Sequence, residues 1–401
     1  MTSANPQPDA VPGEVIVNVF GRTDVGRVRD HNEDAFLVAD LTADNASLQP
    51  EVRTHLVGSH GSLFMVADGL GGAAAGEVAS ELAILTVQSE LRAQWRSAPE
   101  RNAEVFARAI KSAAEAANAK IFAYAVEHPE SRGLGTTATI AGLLGDTLYI
   151  AQVGDSRAYL VRNGVALQIT KDQSLMQRLI EAGELTPEEA ERSERRNIIL
   201  QALGPEPTVK IDLTYQKVRR GDTLVLCTDG LSGLVRKDEI AEILQESNGD
   251  LLTACRELID RANENGGPDN ITVIVARFEG DGLLAAEDEE SVGHAVFPLP
   301  GSATSSSGRE RTSDGPTKPF RRRNTEALAA SESEPEPVES APSLATPRPM
   351  SRRGRSILFL VAGILLAITV LLALRIYKTT VIHRTHPEPV HTTPGDSGIR
   401  A

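Results

Sequence analysis

The chain predicts an α+β fold in which packed antiparallel β-sheets are covered by α-helices. Three observations carry that expectation. Apolar runs of strand length recur through residues 15–280, and most are separated by turns too short to hold a crossover helix. Long helical patterns come as one early pair and one late pair, outside the strand-rich block. Asn163-Gly164, set between two apolar runs, is a type I′ hairpin signal of the kind that joins antiparallel neighbours.

The elements follow in order. Val15 to Phe20 and Ala35 to Ala39 read as the first two strands, and Leu63 to Ala67 as the third. Gly69 to Gly76 is rich in glycine and alanine. A helix is expected over Glu77 to Trp95, with Val78, Leu82, Leu85 and Leu91 near one face. A second, alanine-rich helix spans Ala103 to Val126 and closes at His128-Pro129. Strands follow at Thr136 to Leu144, Thr147 to Val153, Ala158 to Val161 and Ala166 to Ile169. Residues 171–207 break the rhythm with two short helical stretches, Leu175 to Ala182 and Pro187 to Ser193, carried as a surface excursion. Val209 to Leu213 and Thr223 to Cys227 resume the sheet. Lys237 to Glu246 and Leu251 to Asn263 are helices, and Asn270 to Phe278 is the last strand. The total is roughly ten strands and two helix pairs.

Beyond the folded region the composition changes. Residues 281–355 are rich in Ser, Pro, Glu and Gly and poor in aromatics, as expected of a disordered linker. Ile357 to Leu374 carries no charge and is about the minimum length of a membrane span, so a transmembrane helix is expected over 357–377. Arg352, Arg353 and Arg355 precede it, with Arg321 to Arg323 and Arg348 further upstream. Only Arg375 and Lys378 follow closely. The positive-inside tendency then puts the folded domain in the cytoplasm and the short polar tail, 378–401, outside the cell membrane. Met1 to Glu14 is polar and Pro-rich, without the basic and apolar regions of a signal peptide.

The chain has 401 residues, and 55 acids against 41 bases give a net charge of −14. Such an acidic balance argues against nucleic acid as a partner. Cys227 and Cys255 lack zinc-site spacing and are expected as small core residues.

Part of the acidity sits in four words joined to apolar runs: Asn32-Glu33-Asp34, Asp68-Gly69-Leu70-Gly71-Gly72, Thr228-Asp229-Gly230-Leu231 and Pro268-Asp269-Asn270. Each alone also reads as an ordinary turn or as surface charge. Together they place carboxylates at strand ends that can converge on one sheet edge. Oxygen ligands of this type suit hard cations such as Mg²⁺ or Mn²⁺. Arg29 lies one short turn before Glu33. With cations satisfying the acids, its fork is free to hold a phosphate bidentately. Two hard cations and a guanidinium are what phosphoester hydrolysis needs: a metal-bridging hydroxide attacks in line while Arg29 and the cations neutralise the equatorial oxygens.

With Gly135-Thr136-Thr137-Ala138 and Gly154-Asp155-Ser156-Arg157-Ala158-Tyr159, these words resemble the metal-dependent protein serine/threonine phosphatases of type 2C, over about Val15 to Phe278 and in family order. The resemblance implies an αββα sandwich, two antiparallel sheets flanked by helices, with two divalent cations at one edge. It makes Asp68 the bridging ligand, with the Gly69 carbonyl on the second metal. Asp229 and Asp269 complete the first metal. Glu33 and Asp34 hold the second, largely through water. Arg29 matches the phosphate-binding arginine and Asn270 a supporting neighbour. A third cation falls to Glu130, the acid upstream of the Gly-Thr-Thr word, with Asp229. Asp155 is assigned a structural role. The 171–207 excursion matches the variable flap beside the site. Leu70 stands where some eukaryotic members have a histidine, a candidate leaving-group acid. It points to the bacterial branch and leaves that proton to water or another group.

The implied function is dephosphorylation of phosphoserine and phosphothreonine on proteins by a membrane-anchored enzyme. A serine/threonine kinase and its substrates are the expected partners, and the bilayer holds the C-terminal helix. Two alternatives stay open: a phosphoprotein-binding module without catalysis, and a phosphatase acting on an anti-sigma-factor antagonist.

Overall fold

A computed structural model describes residues 13–43, 45–71, 75–131, 133–287 and 292–299. The expected transmembrane helix, the tail and the linker beyond residue 299 lie outside the described residues. Among the described residues no helix is long and apolar enough to cross a membrane.

Strands β1 (Ile16–Asp24), β2 (Asp34–Asp40), β3 (Asn45–Ser47), β4 (Val52–Leu56) and β5 (Ser62–Leu70) precede the long helices α1 (Ala75–Ser97) and α2 (Ala103–Glu127). The strand-rich block is β6 (Gly135–Thr136), β7 (Ala138–Leu144), β8 (Thr147–Val153), β9 (Arg157–Arg162) and β10 (Val165–Gln168). The flap carries α3 (Leu175–Glu181) and α4 (Pro187–Glu191). Then come β11 (Asp212–Lys217), β12 (Thr223–Cys227), α5 (Asp229–Ser232), α6 (Lys237–Glu246), α7 (Leu251–Glu264), β13 (Ile271–Glu279) and β14 (Ala295–Val296).

One sheet has six strands in the order β10-β9-β12-β13-β1-β4. The other has eight, β14-β11-β8-β7-β5-β2-β3 with β6 on β5. Every strand pair within these sheets is antiparallel, as expected. The long strands read as unbroken apolar runs because both of their faces are covered. On β5, Leu63, Met65 and Ala67 face the layer of α1 and α2, while Phe64 and Val66 face the other sheet. On β13, Ile274 and Ala276 enter the inter-sheet core, and Val273 and Val275 pack under α6 and α7. The result is the expected αββα sandwich with three apolar layers. Cys227 and Cys255 are buried free thiols, as expected.

Helix ends are set by local chemistry. Asn102 caps α2, its side chain accepting from the Val105 N–H. In the flap Ser174 caps α3, and Thr186 forms a capping box with Glu189 ahead of Pro187 on α4.

The boundary of the linker needs correction. The expected disordered stretch 281–355 begins with residues that pack on the domain. Leu283 is buried at 1% exposure, and the Leu284 carbonyl accepts from the Arg220 N–H. β14 pairs antiparallel with the sheet-edge strand β11. Phe297 lies edge-on to both Tyr149 and Tyr215. A few apolar residues in a polar stretch escape a compositional reading, yet they close a sheet edge that would otherwise stand open.

Candidate active site

The cross-strand register builds the centre of the site. Asp34, first on β2, pairs directly with Asp68 near the end of β5. Residues directly opposite on adjacent antiparallel strands have neighbouring side chains, and like charges there are destabilising. Asp229 begins α5 just after β12, and Asp269 precedes β13, the strand between β12 and β1. The two sheets thus deliver their acids to a shared edge.

The carboxyls act strongly on one another. Asp68 is pushed well above the ordinary carboxylate range by burial, then by Asp34, Asp229, Asp155 and Asp269. Asp34 is raised to about 7 by burial, against hydrogen bonds from Thr272 and Thr228 that favour its charge. The Thr228 hydroxyl donates to Asp34 Oδ2 at 2.8 Å. Asp229 is raised by burial and by Asp269, while a hydrogen bond with Asp68 pulls it down. Glu33 is raised by burial, opposed by Arg29.

Arg29 stands at the exposed rim. Its Nη2 donates to Asp269 Oδ2 at 2.8 Å, and Nη1 lies 3.8 Å from Glu33. Asn270 secures the loop that carries it. The amide of this buried residue donates to the Val25 and His31 carbonyls, each at 2.9 Å, and its oxygen accepts from the Glu33 N–H at 2.8 Å. That gives the supporting role expected of Asn270 a physical form. Gly69 lies where any side chain would clash: a Cβ there would stand 2.2 Å from the Gly76 carbonyl oxygen and 2.6 Å from that of Glu33.

The donor set fits hard cations. Asp34, Asp155 and Asp229 each leave one buried carboxylate oxygen without a hydrogen-bond partner. Orphaned, mutually repelling carboxylates are costly unless positive charge offsets them. Among the described residues no three His, Cys, Asp or Glu side chains are already drawn into a ligand shell. Glu33 and Asp269 are instead turned towards the Arg29 guanidinium.

Two further acids differ in their setting. Glu130 lies exposed on a 3₁₀ turn, Pro129–Ser131, at the end of α2. The exit of α2 points this acid to solvent. Asp155 interacts with the cluster. It is buried, raised to about 7 by burial and by Asp229, and acts on Asp68 in turn. Its signal was legible. Asp155 follows the apolar run Thr147 to Val153, the same design as Asp68 and Asp229.

A polar net fixes the Asp155 loop. The Thr137 hydroxyl accepts from the Asp68 N–H at 2.9 Å and bonds to the Ser156 hydroxyl at 2.7 Å. Gln152 donates to the Gly154 and Ser156 carbonyls, and Thr139 donates to Gln152 and to the Ser156 carbonyl. Arg157 grips Asp172 through Nε and Nη2.

The family model for protein phosphatase 2C matches residues 43–266. The serine/threonine phosphatase stp of Listeria monocytogenes is 38% identical over 255 residues, which cover 63% of this chain and 93% of that protein. The serine/threonine protein phosphatase PstP of Mycobacterium tuberculosis is 36% identical over 263 residues, 65% of this chain and 45% of that protein. A crystal structure of the catalytic domain of PstP in complex with two manganese ions superposes with a TM-score of 0.53 at 34% identity, covering 66% of this chain and 99% of that one.

Proposed function

Since the chain belongs to the protein phosphatase 2C family, we propose that its acid cluster and Arg29 form the phosphate-cleaving centre of a membrane-tethered enzyme facing the cytoplasm. The activity is metal-dependent hydrolysis of phosphoserine and phosphothreonine on proteins, with two divalent cations, Mn²⁺ or Mg²⁺, as cofactors. The observation that carries the site assignment is the pairing of Asp34 with Asp68 across β2 and β5, with Asp229 and Asp155 acting on Asp68 and Arg29 at the rim.

Asp68, Asp229 and Asp269 would hold one cation. Asp68, the Gly69 carbonyl, Glu33 and Asp34 would hold the other. When bound, the cations supply Lewis acidity, acidifying water and offsetting charge on the phosphoryl oxygens. Arg29 supplies the rest of the phosphate clamp. Its fork, 46% exposed and resting on Asp269, can turn to a phosphate from the rim. Asn270 keeps the Arg29 loop in register with β13. Leu70 carries no proton to give, so the proton for the leaving alkoxide falls to water or another group.

The apolar segment 357–374 and the arginines before it support the tether and its orientation. A serine/threonine kinase and its substrates are the proposed partners. The full chain should hydrolyse an aryl phosphate and a phosphothreonine peptide with Mn²⁺ and fall silent with EDTA. Turnover that survives EDTA contradicts the reading. In a deletion strain, phosphorylation should accumulate on a kinase and its targets. Accumulation confined to an anti-sigma-factor antagonist would favour the other branch.

A further inference from the structure

We propose that Gln173 is a positioning residue for the reaction, coupling the base of the flap to the loop that presents Asp155. The inference rests on the phosphatase reading of the acid cluster and adds a residue which that reading does not use.

Gln173 sits where the chain leaves β10 to enter the flap, and it grips Gly154 twice. Its own N–H donates to the Gly154 carbonyl at 2.8 Å, and its Oε1 accepts from the Gly154 N–H at 3.0 Å. Gly154 has φ +97°, and a Cβ there would stand 2.6 Å from Thr137 Cγ2. The loop is therefore pressed by Thr137 on one side and clamped by Gln173 on the other. Thr137 in turn is bonded to the backbone of Asp68. Asp155 follows the clamped glycine directly, so its position relative to Asp68 depends on this grip.

Besides a 3.3 Å bond from its Nε2 to the Gln152 carbonyl on β8, Gln173 makes bonds that reach the flap. Its carbonyl accepts from the Leu200 N–H, on the returning arm, at 2.8 Å. Its Nε2 donates to Asp212 Oδ2 at 3.0 Å, where the chain re-enters the sheet as β11. The amide orientation is fixed by its neighbours: Gly154 N–H can only donate, and the Asp212 carboxylate accepts. The side chain of Gln173 thus joins the Gly154 N–H to Asp212, while its main chain joins Gly154 to the returning arm at Leu200. Movement of the flap against a substrate would be felt at Asp155 through a single residue.

The test is a double-mutant cycle in the full chain, with Gln173→Ala, Asp155→Asn and the pair, assayed with Mn²⁺ on p-nitrophenyl phosphate and on a phosphothreonine peptide. Gln173→Ala should lower kcat about 10- to 100-fold on both substrates, the range for loss of a group that orients a metal-site residue. KM for the aryl phosphate should stay within about twofold. In the Asp155→Asn background the same change should cost little more, because the two residues act through one path. Amide exchange at Gly154 should quicken in Gln173→Ala. Losses that add to within about twofold overturn the proposal. A rise in peptide KM with kcat intact also overturns it and leaves Gln173 as a flap anchor only. Where Gln173→Ala does not fold, Gln173→Asn, which carries the same groups on a shorter arm, is read by the same cycle. Loss of fold in both assigns Gln173 to stability alone and overturns the proposal. An unmodified chain without turnover would refute the phosphatase reading instead.

Discussion

Replacing Phe297 with alanine should destabilise the whole domain, although the residue lies in a stretch whose composition reads as tether. The ring is half-buried at the edge of the eight-stranded sheet. It stands edge-on to Tyr149, centroids 5.4 Å apart at 78°, and to Tyr215, 5.7 Å apart at 85°. Tyr149 continues the stack to Phe106 on α2. The Phe297 N–H also donates to the Leu213 carbonyl at 2.9 Å, which holds the strap, residues 292–299, against β11. A fully buried Phe→Ala change costs about 3–5 kcal/mol. Half-burial brings the transfer and cavity part to about 2 kcal/mol, and the loss of two edge-on pairs adds up to about 1 kcal/mol. For a domain of this size each kcal/mol moves Tm by about 2–3 °C, so the expected drop is about 4–9 °C. Calorimetry in EDTA reads it, since bound metal would mask part of the change. Val296 is exposed, and Val296→Ser should move Tm by less than about 1 °C. A Phe297→Ala protein melting within about 1 °C of the parent would refute the packing argument and return residues 281–299 to the linker.

Further outcomes follow from the acid cluster. Asp34 and Asp155 are each raised to about 7, so the folded protein holds protons there that the unfolded chain has released. Stability of the metal-free protein should therefore fall as pH rises from the ordinary carboxylate range through about 7, and the Tm increment given by Mn²⁺ should grow over the same window. Melting curves in EDTA that are flat or rising from pH 5 to 8 would contradict this. Arg29→Ala should lower kcat about 100- to 1000-fold, as for loss of a preorganised donor on a transferring group. Arg29→Lys should recover only part of it, because an ammonium cannot grip two phosphate oxygens at once. Steady-state kinetics on an aryl phosphate reads both, and an equal rate in Lys and Arg proteins would exclude a bidentate role.

Much of the fold was legible because sandwiched strands declare themselves. Leu63 to Ala67 and Ile271 to Phe278 are apolar on both faces, and only a strand covered on both sides explains that. The short β3 and β4 escaped because an edge strand such as Val52–Leu56, largely open to solvent, has little apolar pattern to show. The strap escaped because β14 is two residues long and its anchor is a single aromatic ring. In the site, Asp34, Asp68, Asp229 and Asp269 could be read as strand-end acids. Which acids share a cation depends on register, and register is not written in spacing. Glu130, upstream of the Gly-Thr-Thr word in sequence, lies exposed at the end of α2. Asp155 lies 87 residues after Asp68 in the chain yet acts directly on its carboxyl. Gln173 gave no signal at all, because its role exists only where β10, the flap and the Gly154 loop meet.

Asp68 is the point on which the cluster turns, since it is paired with Asp34 in register and acted on by Asp229, Asp155 and Asp269. Asp68→Asn keeps its shape and removes its charge. The decisive measurement is phosphothreonine-peptide hydrolysis by the full chain carrying this change, at saturating Mn²⁺ and with its melting curve recorded alongside. The expected result is a folded protein whose turnover falls by at least about 100-fold. Wild-type turnover by the same protein would contradict the assignment of Asp68 to the catalytic centre.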